Sequence, residues 1–390
     1  MSEVRTGLDV LLERGSTTLA GDRIGLLAHP ASVDRTWRHA VPRLQELLGD
    51  RLRVLFGPQH GLRGETQDNM IEWAGYRDPR TGLPVHSLYG EHRRPTAAML
   101  EGLDTLVVDL QDVGARYYTF VWTLLLCLEA CAAAGKRVVV LDRPNPIGGA
   151  MEGNLLDPSF RSFVGLAPIP MRHGATLGEL ATWLRRWADL DLDLEVIEIR
   201  GWRRGMLHDE TGLPWVMPSP NMPTLTTALV YPGACLLEGT TLSEGRGTTR
   251  PFEIVGAPGL DPDALADLLA RHDLPGMVAR PVHFQPTFQK HAGELCGGVQ
   301  VHVTDRAAFQ PVRTYVALVA EVRRIDPGRA LWRSPPYEYE HEKLPIDILA
   351  GGTELREMVD DGGDPGALVD RWHDSLAGFA ADLAGDLRYA

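Results

Sequence analysis

The chain has 390 residues, of which 44% are hydrophobic and 23% charged; that length exceeds one ordinary core, so two domains are expected. Its 39 basic and 52 acidic side chains leave a formal net charge of −13, which argues against a nucleic-acid or anionic-membrane partner, because both ask for a basic face. An anionic small substrate stays open, since a local group of Arg outweighs a negative average.

The N-terminal MSEVRTGLDVLLERG mixes charge with apolar residues and has no long apolar region or small-residue cleavage site, so no signal peptide is expected. Short apolar runs then alternate with helical patterns. Arg23–Ala28, Arg51–Phe56, Thr105–Leu110, Arg137–Leu141 and Leu194–Ile199 read as strands. The middle three are nearly continuous in apolar residues, as in strands covered on both faces of a parallel sheet. His39–Leu48, Thr96–Gly102, Tyr118–Ala134 and Thr176–Trp187 read as helices. This order predicts an α/β fold with a doubly wound, mostly parallel sheet. Cys127 and Cys131 lie four apart in a helical run and would share one face as small buried side chains. No second Cys/His pair at matching spacing supports a metal site. The same run, Phe120–Gly135, is too short to span a bilayer and contains Glu129. With four cysteines and no framework spacing, a reducing compartment and a cytoplasmic protein are expected.

Thr224–Leu237 reads as a helix, with Pro232 arguing for a kink or break. Past about Gly256 the pattern changes. Asp261–Arg271 reads as a helix with Asp261 as N-cap and Pro262 at its first position. Val282–Gln289 and Val299–Val303 alternate like half-buried strands around HAGELCGG, and Val312–Arg324 reads as a helix. The expected division is residues 1–255 as the α/β domain and 256–390 as a smaller α+β domain that closes a cleft. No internal repeat or low-complexity linker stands out.

Each of the first four strands ends in a polar loop: HPASVD, GPQHGLRGETQDNMIE, QDVGARYYT and DRPNPIGG. MPSPNMP and EGTTLSEGRGTTRPFE, further on, have the same character. Ligands of open α/β sheets bind outside the carboxyl ends of the strands, so these loops should line one crevice. Gly, Pro and Asn suit turns for ordinary conformational reasons, but the many His, Arg and Asp ask for a polar ligand. No GxGxxG follows a strand and no GxxxxGK[ST] occurs, so the usual nucleotide cradles are missing. HExxH, paired CxxC and GxSxG are missing too, which leaves a familiar zinc site or serine elbow unsupported. Carboxylates with Arg and His remain. A pair of carboxyls, one protonated and one charged, suffices for glycoside hydrolysis without a cofactor, and Arg can hold a substrate carboxylate in bidentate fashion.

The runs LFGPQHGLRGETQDN, TGLPVHSLYG, DLQDVGARYYTF, VLDRPNPIGG, PIPMRHGATLGELA, PSPNMPT and EGTTLSEGRGTTRPFEIVGAP together resemble one bacterial family, the exo-β-N-acetylmuramidases, formerly grouped as a domain of unknown function. The resemblance runs from about Gly7 to near the C-terminus. It implies a Rossmann-like N-terminal domain, a smaller C-terminal domain, and a site in the cleft between them. It also implies removal of N-acetylmuramic acid from the non-reducing end of peptidoglycan fragments, with no cofactor and no metal. That sugar carries a lactyl carboxylate, for which Arg63, Arg116, Arg143, Arg246 and Arg250 are the candidate cations. Gln59, His60, Asn69, Asp112, Asp142, Asn145, His173 and Asn221 complete the expected binding residues. In typical members the second loop reads GPEHG, and its Glu leads the candidates for the catalytic acid. Here the residue is Gln59, which cannot exchange a proton as an acid does. The expected acid is therefore Glu65, with Glu244 or Glu238 as partner. A sugar-binding protein without catalysis, and an amidase or esterase on the same scaffold, remain as alternatives. The expected partner is a muropeptide or amino-sugar substrate, and nothing in the pattern sets an oligomeric state.

Overall fold

The computed structural model describes residues 3–64, 66–68 and 70–390. In chain order the first half forms α1 (Gly7–Arg14), β1 (Ile24–Ala28), α2 (Ala40–Leu48), β2 (Leu52–Gly57), β3 (Tyr76–Arg77), β4 (Pro84–Ser87), α3 (Ala97–Leu100) and β5 (Thr105–Asp109). It continues with α4 (Phe120–Ala133), β6 (Arg137–Leu141), β7 (Glu152–Leu155), β8 (Pro170–Arg172), α5 (Leu177–Trp187) and β9 (Leu194–Ile197). The second half carries α6 (Leu225–Ala234), β10 (Ile254–Ala257), α7 (Pro262–Leu269), β11 (Met277–Phe284), β12 (Cys296–Val303), α8 (Pro311–Ile325), α9 (Pro345–Ala350), α10 (Glu354–Asp360) and α11 (Pro365–Leu383).

A seven-stranded sheet in the order β3-β4-β2-β1-β5-β6-β9 is the frame. All its pairings are parallel except β3 with β4. Every residue of β1 and β5 is buried, which explains their unbroken apolar sequence. Alternate side chains serve opposite cores. Leu106 and Val108 pack with α4, while Val107 packs with Leu8, Leu11 and Leu44 of α1 and α2. The doubly wound fold expected from sequence is what forms. The order of strand addition reverses between β1 and β5, because β2 lies on one side of β1 and β5 on the other. Such a switch point opens a crevice at the carboxyl ends of the strands.

The second half builds a three-stranded antiparallel sheet, β10-β12-β11. Helices α6, α7 and α11 pack around α8. Pro232 does not end α6, which runs to Ala234 and tightens into a 3-10 turn, Cys235–Gly239. Gly233 is required there: a Cβ would lie 2.0 Å from the Pro311 carbonyl oxygen at the start of α8. The core beneath α4 continues into this layer through Tyr231, Tyr315 and Val316. Helix α11 returns to the first half, where Phe379 meets the Trp183 ring edge-on at 5.4 Å. Among the described residues no helix is long and apolar enough to cross a membrane.

Candidate active site

A small polar cavity of about 40 Å³ opens at the switch point. The loop after β2 supplies Gln59 and His60, and the loop after β5 supplies Tyr117–Phe120. The PSPN loop contributes Asn221. The second half closes the cavity with Glu238, Arg246 and Glu338.

Gln59 bridges the halves. Its Oε1 accepts the Thr119 hydroxyl at 2.7 Å, and its Nε2 points to Glu338 Oε1 at 3.5 Å. The Tyr89 hydroxyl donates to the other Glu338 oxygen at 2.9 Å. Burial pushes the Glu338 carboxyl up to about 7. The hydrogen bond from Tyr89 acts against that rise and the nearby Glu238 charge adds to it. Near neutrality Glu338 therefore holds a proton a large part of the time. Its backbone has φ +44°, and that of Tyr339 has φ +68°. Successive side-chain-bearing residues in the left-handed region cost about 1–3 kcal/mol each, and such strain concentrates at functional sites.

Glu238, nearby, is held by an ion pair. Its Oε1 pairs with Arg246 at 2.9 Å and its Oε2 accepts the Tyr337 hydroxyl at 2.7 Å. Arg246 also reaches Glu244 at 3.1 Å, and Lys290 Nζ binds the second Glu244 oxygen at 2.9 Å. Burial alone would raise the Glu244 carboxyl, but Lys290 and Arg246 outweigh it and hold it at about 2. Lys290 comes from the β11–β12 connection and also donates to the carbonyls of Leu237 and Leu242. The small sheet thereby braces the turn that presents Glu238. Glu244 does not line the cavity.

His60 Nδ1 lies 2.9 Å from the Thr66 carbonyl oxygen. A carbonyl only accepts, so Nδ1 carries the proton and Nε2 is left as an acceptor. Burial, first, pushes this His down to about 4, so it stays neutral at ordinary pH. The Tyr117 hydroxyl is buried on the cavity wall with no hydrogen-bond partner among the described residues. A ligand hydroxyl would satisfy it. Asn221 Nδ2 donates to the Gln67 carbonyl at 2.9 Å, tying the PSPN loop to the loop after β2.

Of the residues expected to bind substrate, Gln59, His60, Asn221 and Arg246 line the cavity. The rest are engaged in the scaffold. Arg63 pairs with the buried Asp78. Arg116, fully buried, donates to the carbonyls of Asn154, Ile169, Leu349 and Ala350. Arg143 grips Asp109 through two nitrogens, at 2.5 and 2.9 Å. Asp112 accepts the Gly114 amide and meets His173 Nε2 at 3.0 Å. Asp142 takes the Thr176 hydroxyl, the Gly178 amide and the Tyr389 hydroxyl. Asn145 holds the Ala175 carbonyl and the Ile147 amide. Arg250 is about half exposed and lies 3.6 Å from Glu253. Glu65 and Asn69 lie outside the described residues. Sequence reasoning missed Glu338, its partner Tyr89, and Thr119, which holds Gln59. The only signal for Glu338 was the crowding of carboxylates in YEYEHEK, Tyr337–Lys343.

A carboxyl raised toward neutrality near an ion-paired one, buried at the seam of two domains, is compatible with the acid–base chemistry of glycosidases. A family model described as exo-beta-N-acetylmuramidase NamZ, N-terminal, matches residues 24–226, and its C-terminal counterpart matches 229–389. The chain belongs to that family. Peptidoglycan beta-N-acetylmuramidase NamZ of Bacillus subtilis (strain 168) is 42% identical over 379 residues, covering 97% of this chain and 89% of that protein. A crystal structure of a DUF1343 family protein from Bacteroides fragilis NCTC 9343 matches with a TM-score of 0.90 at 34% identity, covering 100% of each chain. A second from the same organism matches with 0.77 at 28% identity, covering 100% of this chain and 99% of that one.

Proposed function

We propose that this glycosidase removes N-acetylmuramic acid from the non-reducing end of peptidoglycan fragments, with Glu338 as the acid. The observation that carries the assignment is the buried Glu338 carboxyl, raised to about 7 and facing the cavity. An acid must hold its proton near the working pH to deliver it to a leaving oxygen. Family membership over both halves and the name of the Bacillus subtilis relative support the substrate. Glu338 protonates the glycosidic oxygen as the bond to the anomeric carbon breaks. The Glu238 carboxylate, paired with Arg246, accepts a proton from the water that adds to that carbon. Arg246 and Tyr337 keep Glu238 oriented. Gln59 and Thr119 position the acid. His60 Nε2 and the Tyr117 hydroxyl offer an acceptor and a polar contact to sugar hydroxyls. Gln59 itself carries no proton in this scheme, and Glu65 is the rival acid.

The protein should release nitrophenol from a chromogenic N-acetylmuramic acid glycoside and leave the N-acetylglucosamine analogue untouched. Tight binding without turnover would instead identify a sugar-binding protein, and inertness to both would sink the substrate. We further place the protein in the cytoplasm, acting on small imported fragments, because all four cysteines are free and buried. Recovery of the native protein from the culture medium would overturn that placement.

A further inference from the structure

We infer that Arg93 reads the lactyl carboxylate and so sets the preference for muramyl over glucosaminyl substrates; this rests on the substrate proposed above. A residue that selects an anion must keep its charge unspent. Arg63, Arg143 and Arg246 are each paired with protein carboxylates, and Arg116 is consumed by backbone carbonyls. Arg93 differs. Its guanidinium lies 3.7 Å from the centroid of the Tyr339 ring and 5.9 Å from that of Phe163. Among the described residues it makes no ion pair, whereas its neighbour Arg94 is paired with Glu129.

Its place in the site is fixed by aromatic contacts. Tyr339 follows Glu338 in the chain. Tyr89, which donates to Glu338, has its ring 5.9 Å from Tyr339 and 5.8 Å from Phe163. Val164, next to Phe163, lines the cavity. Arg93 therefore stands one ring away from the acid, on the part-exposed side of Tyr339. The guanidinium lies against the Tyr339 ring and also bonds its hydroxyl, which engages part of its five N–H donors and leaves others for a carboxylate. Stacking also holds the side chain in one orientation before substrate arrives. Glu72 accepts the Tyr339 hydroxyl at 3.1 Å, and among the described residues no ion pair joins it to Arg93.

The test uses titration of free N-acetylmuramic acid, its methyl ester and N-acetylglucosamine, alongside turnover of the chromogenic muramyl glycoside. The wild-type protein should bind the free acid more tightly than the ester or N-acetylglucosamine. Arg93→Gln should erase that preference and raise KM for the muramyl glycoside about 10- to 100-fold, the size of a lost charged hydrogen bond, with kcat little changed. Arg93→Lys should recover part of it. A variant that binds acid and ester with the wild-type ratio overturns the inference, as does an equal loss for both, which marks a packing role. A wild-type protein that shows the Arg93-dependent preference but no turnover refutes the catalytic reading and leaves this one standing.

Discussion

Glu338→Gln should move catalysis and stability in opposite directions. The amide keeps the shape and an acceptor for the Tyr89 hydroxyl at 2.9 Å, but it has no acidic proton to give. A positioned general acid is worth about 10²- to 10⁴-fold, which is about 3–5 kcal/mol of barrier at about 1.4 kcal/mol per tenfold. The loss should fall on substrates whose leaving group is a sugar hydroxyl. A nitrophenolate departs without protonation and should lose far less. Stability goes the other way. The folded carboxyl titrates at about 7 against an ordinary value of 4.5, chiefly because burial penalises its charge. It holds its proton more tightly folded than unfolded. Its contribution is therefore full below pH 4.5, declines as pH rises, and is gone above about pH 7. At about 1.4 kcal/mol per pH unit across that interval, the wild-type protein loses about 3 kcal/mol that the neutral amide does not. Urea unfolding at about pH 5 and pH 8 should show the variant gaining on wild type at the higher pH. Kinetics on a muramyl disaccharide and on the nitrophenyl glycoside supply the other half. Wild-type hydrolysis of the disaccharide by Glu338→Gln would refute the assignment, and equal losses on both substrates would make Glu338 structural. Glu65→Gln in parallel should keep the wild-type ratio; if it alone shows the leaving-group-dependent loss, the acid is Glu65.

Gln59→Glu places a second carboxyl beside Glu338. Like charges in one site push one titration upward, so the alkaline limb of kcat/KM should move up by about one pH unit; an unmoved limb would deny contact between the two side chains. Lys290→Met strips a countercharge from buried Glu244, now held at about 2. A depressed carboxylate stabilises above its ordinary value and loses that contribution as pH falls toward 2. The variant should thus lose about 3–5 kcal/mol near pH 7 and less near pH 4, as measured by denaturant titration; a pH-independent loss would contradict the pairing. Arg116→Met would strip a donor from the carbonyls of Asn154, Ile169 and Leu349 at about 1–3 kcal/mol each, while the Ala350 carbonyl keeps the Asn154 side-chain amide. Little folded protein should be recovered, and a melting temperature within about 2 °C of wild type would show that those carbonyls find other partners.

The sheet was legible because fully buried parallel strands must be apolar without interruption, and β1, β2, β5, β6 and β9 fall within one to two residues of their apolar runs. Strands β3, β4, β7 and β8 have two to four residues each, too few for any period to register. Strands β11 and β12 begin before the positions read from sequence because Arg280-Pro281 and Gly297-Gly298 look like turns. Pro281 is tolerated because β11 is an edge strand. Gly298 is there for space, since a Cβ would meet the Val255 carbonyl oxygen at 1.9 Å. Helix α11 hides a sparse apolar stripe, Leu368, Val369, Trp372, Leu376, Phe379 and Leu383, among Ala, Gly and charges. Of the loops expected to share one crevice, those after β2 and β5 and the two later ones reach the cavity. Those after β1 and β6 do not, their polar side chains being spent on the scaffold, as Arg143 is on Asp109. The duties of single residues were not legible. An Arg at a strand end reads the same whether it meets a ligand, as proposed for none of those first chosen, or four carbonyls, as Arg116 does.

Gln59 now has a physical account. In the GPEHG form typical of the family, a carboxyl at this position would lie against Glu338, and two carboxyls that close share a proton rather than titrate independently. With glutamine there, the amide points its Nε2 at Glu338 from 3.5 Å and its Oε1 is spent on Thr119. The amide carries no charge at any pH and lies too far to bind the ionised form strongly. Glu338 is then a single acid whose proton affinity is governed by burial, by Tyr89 and by the Glu238 charge. The substitution does not remove acid chemistry from the cavity. It leaves one carboxyl, on the opposite domain, with a titration near neutrality, so the two halves must be docked for the acid to exist in its working state. Glu238 differs, because its Arg246 partner comes from the same half, while Lys290 pairs with Glu244. Any change that loosens the seam should therefore lower kcat before it lowers the stability of either sheet.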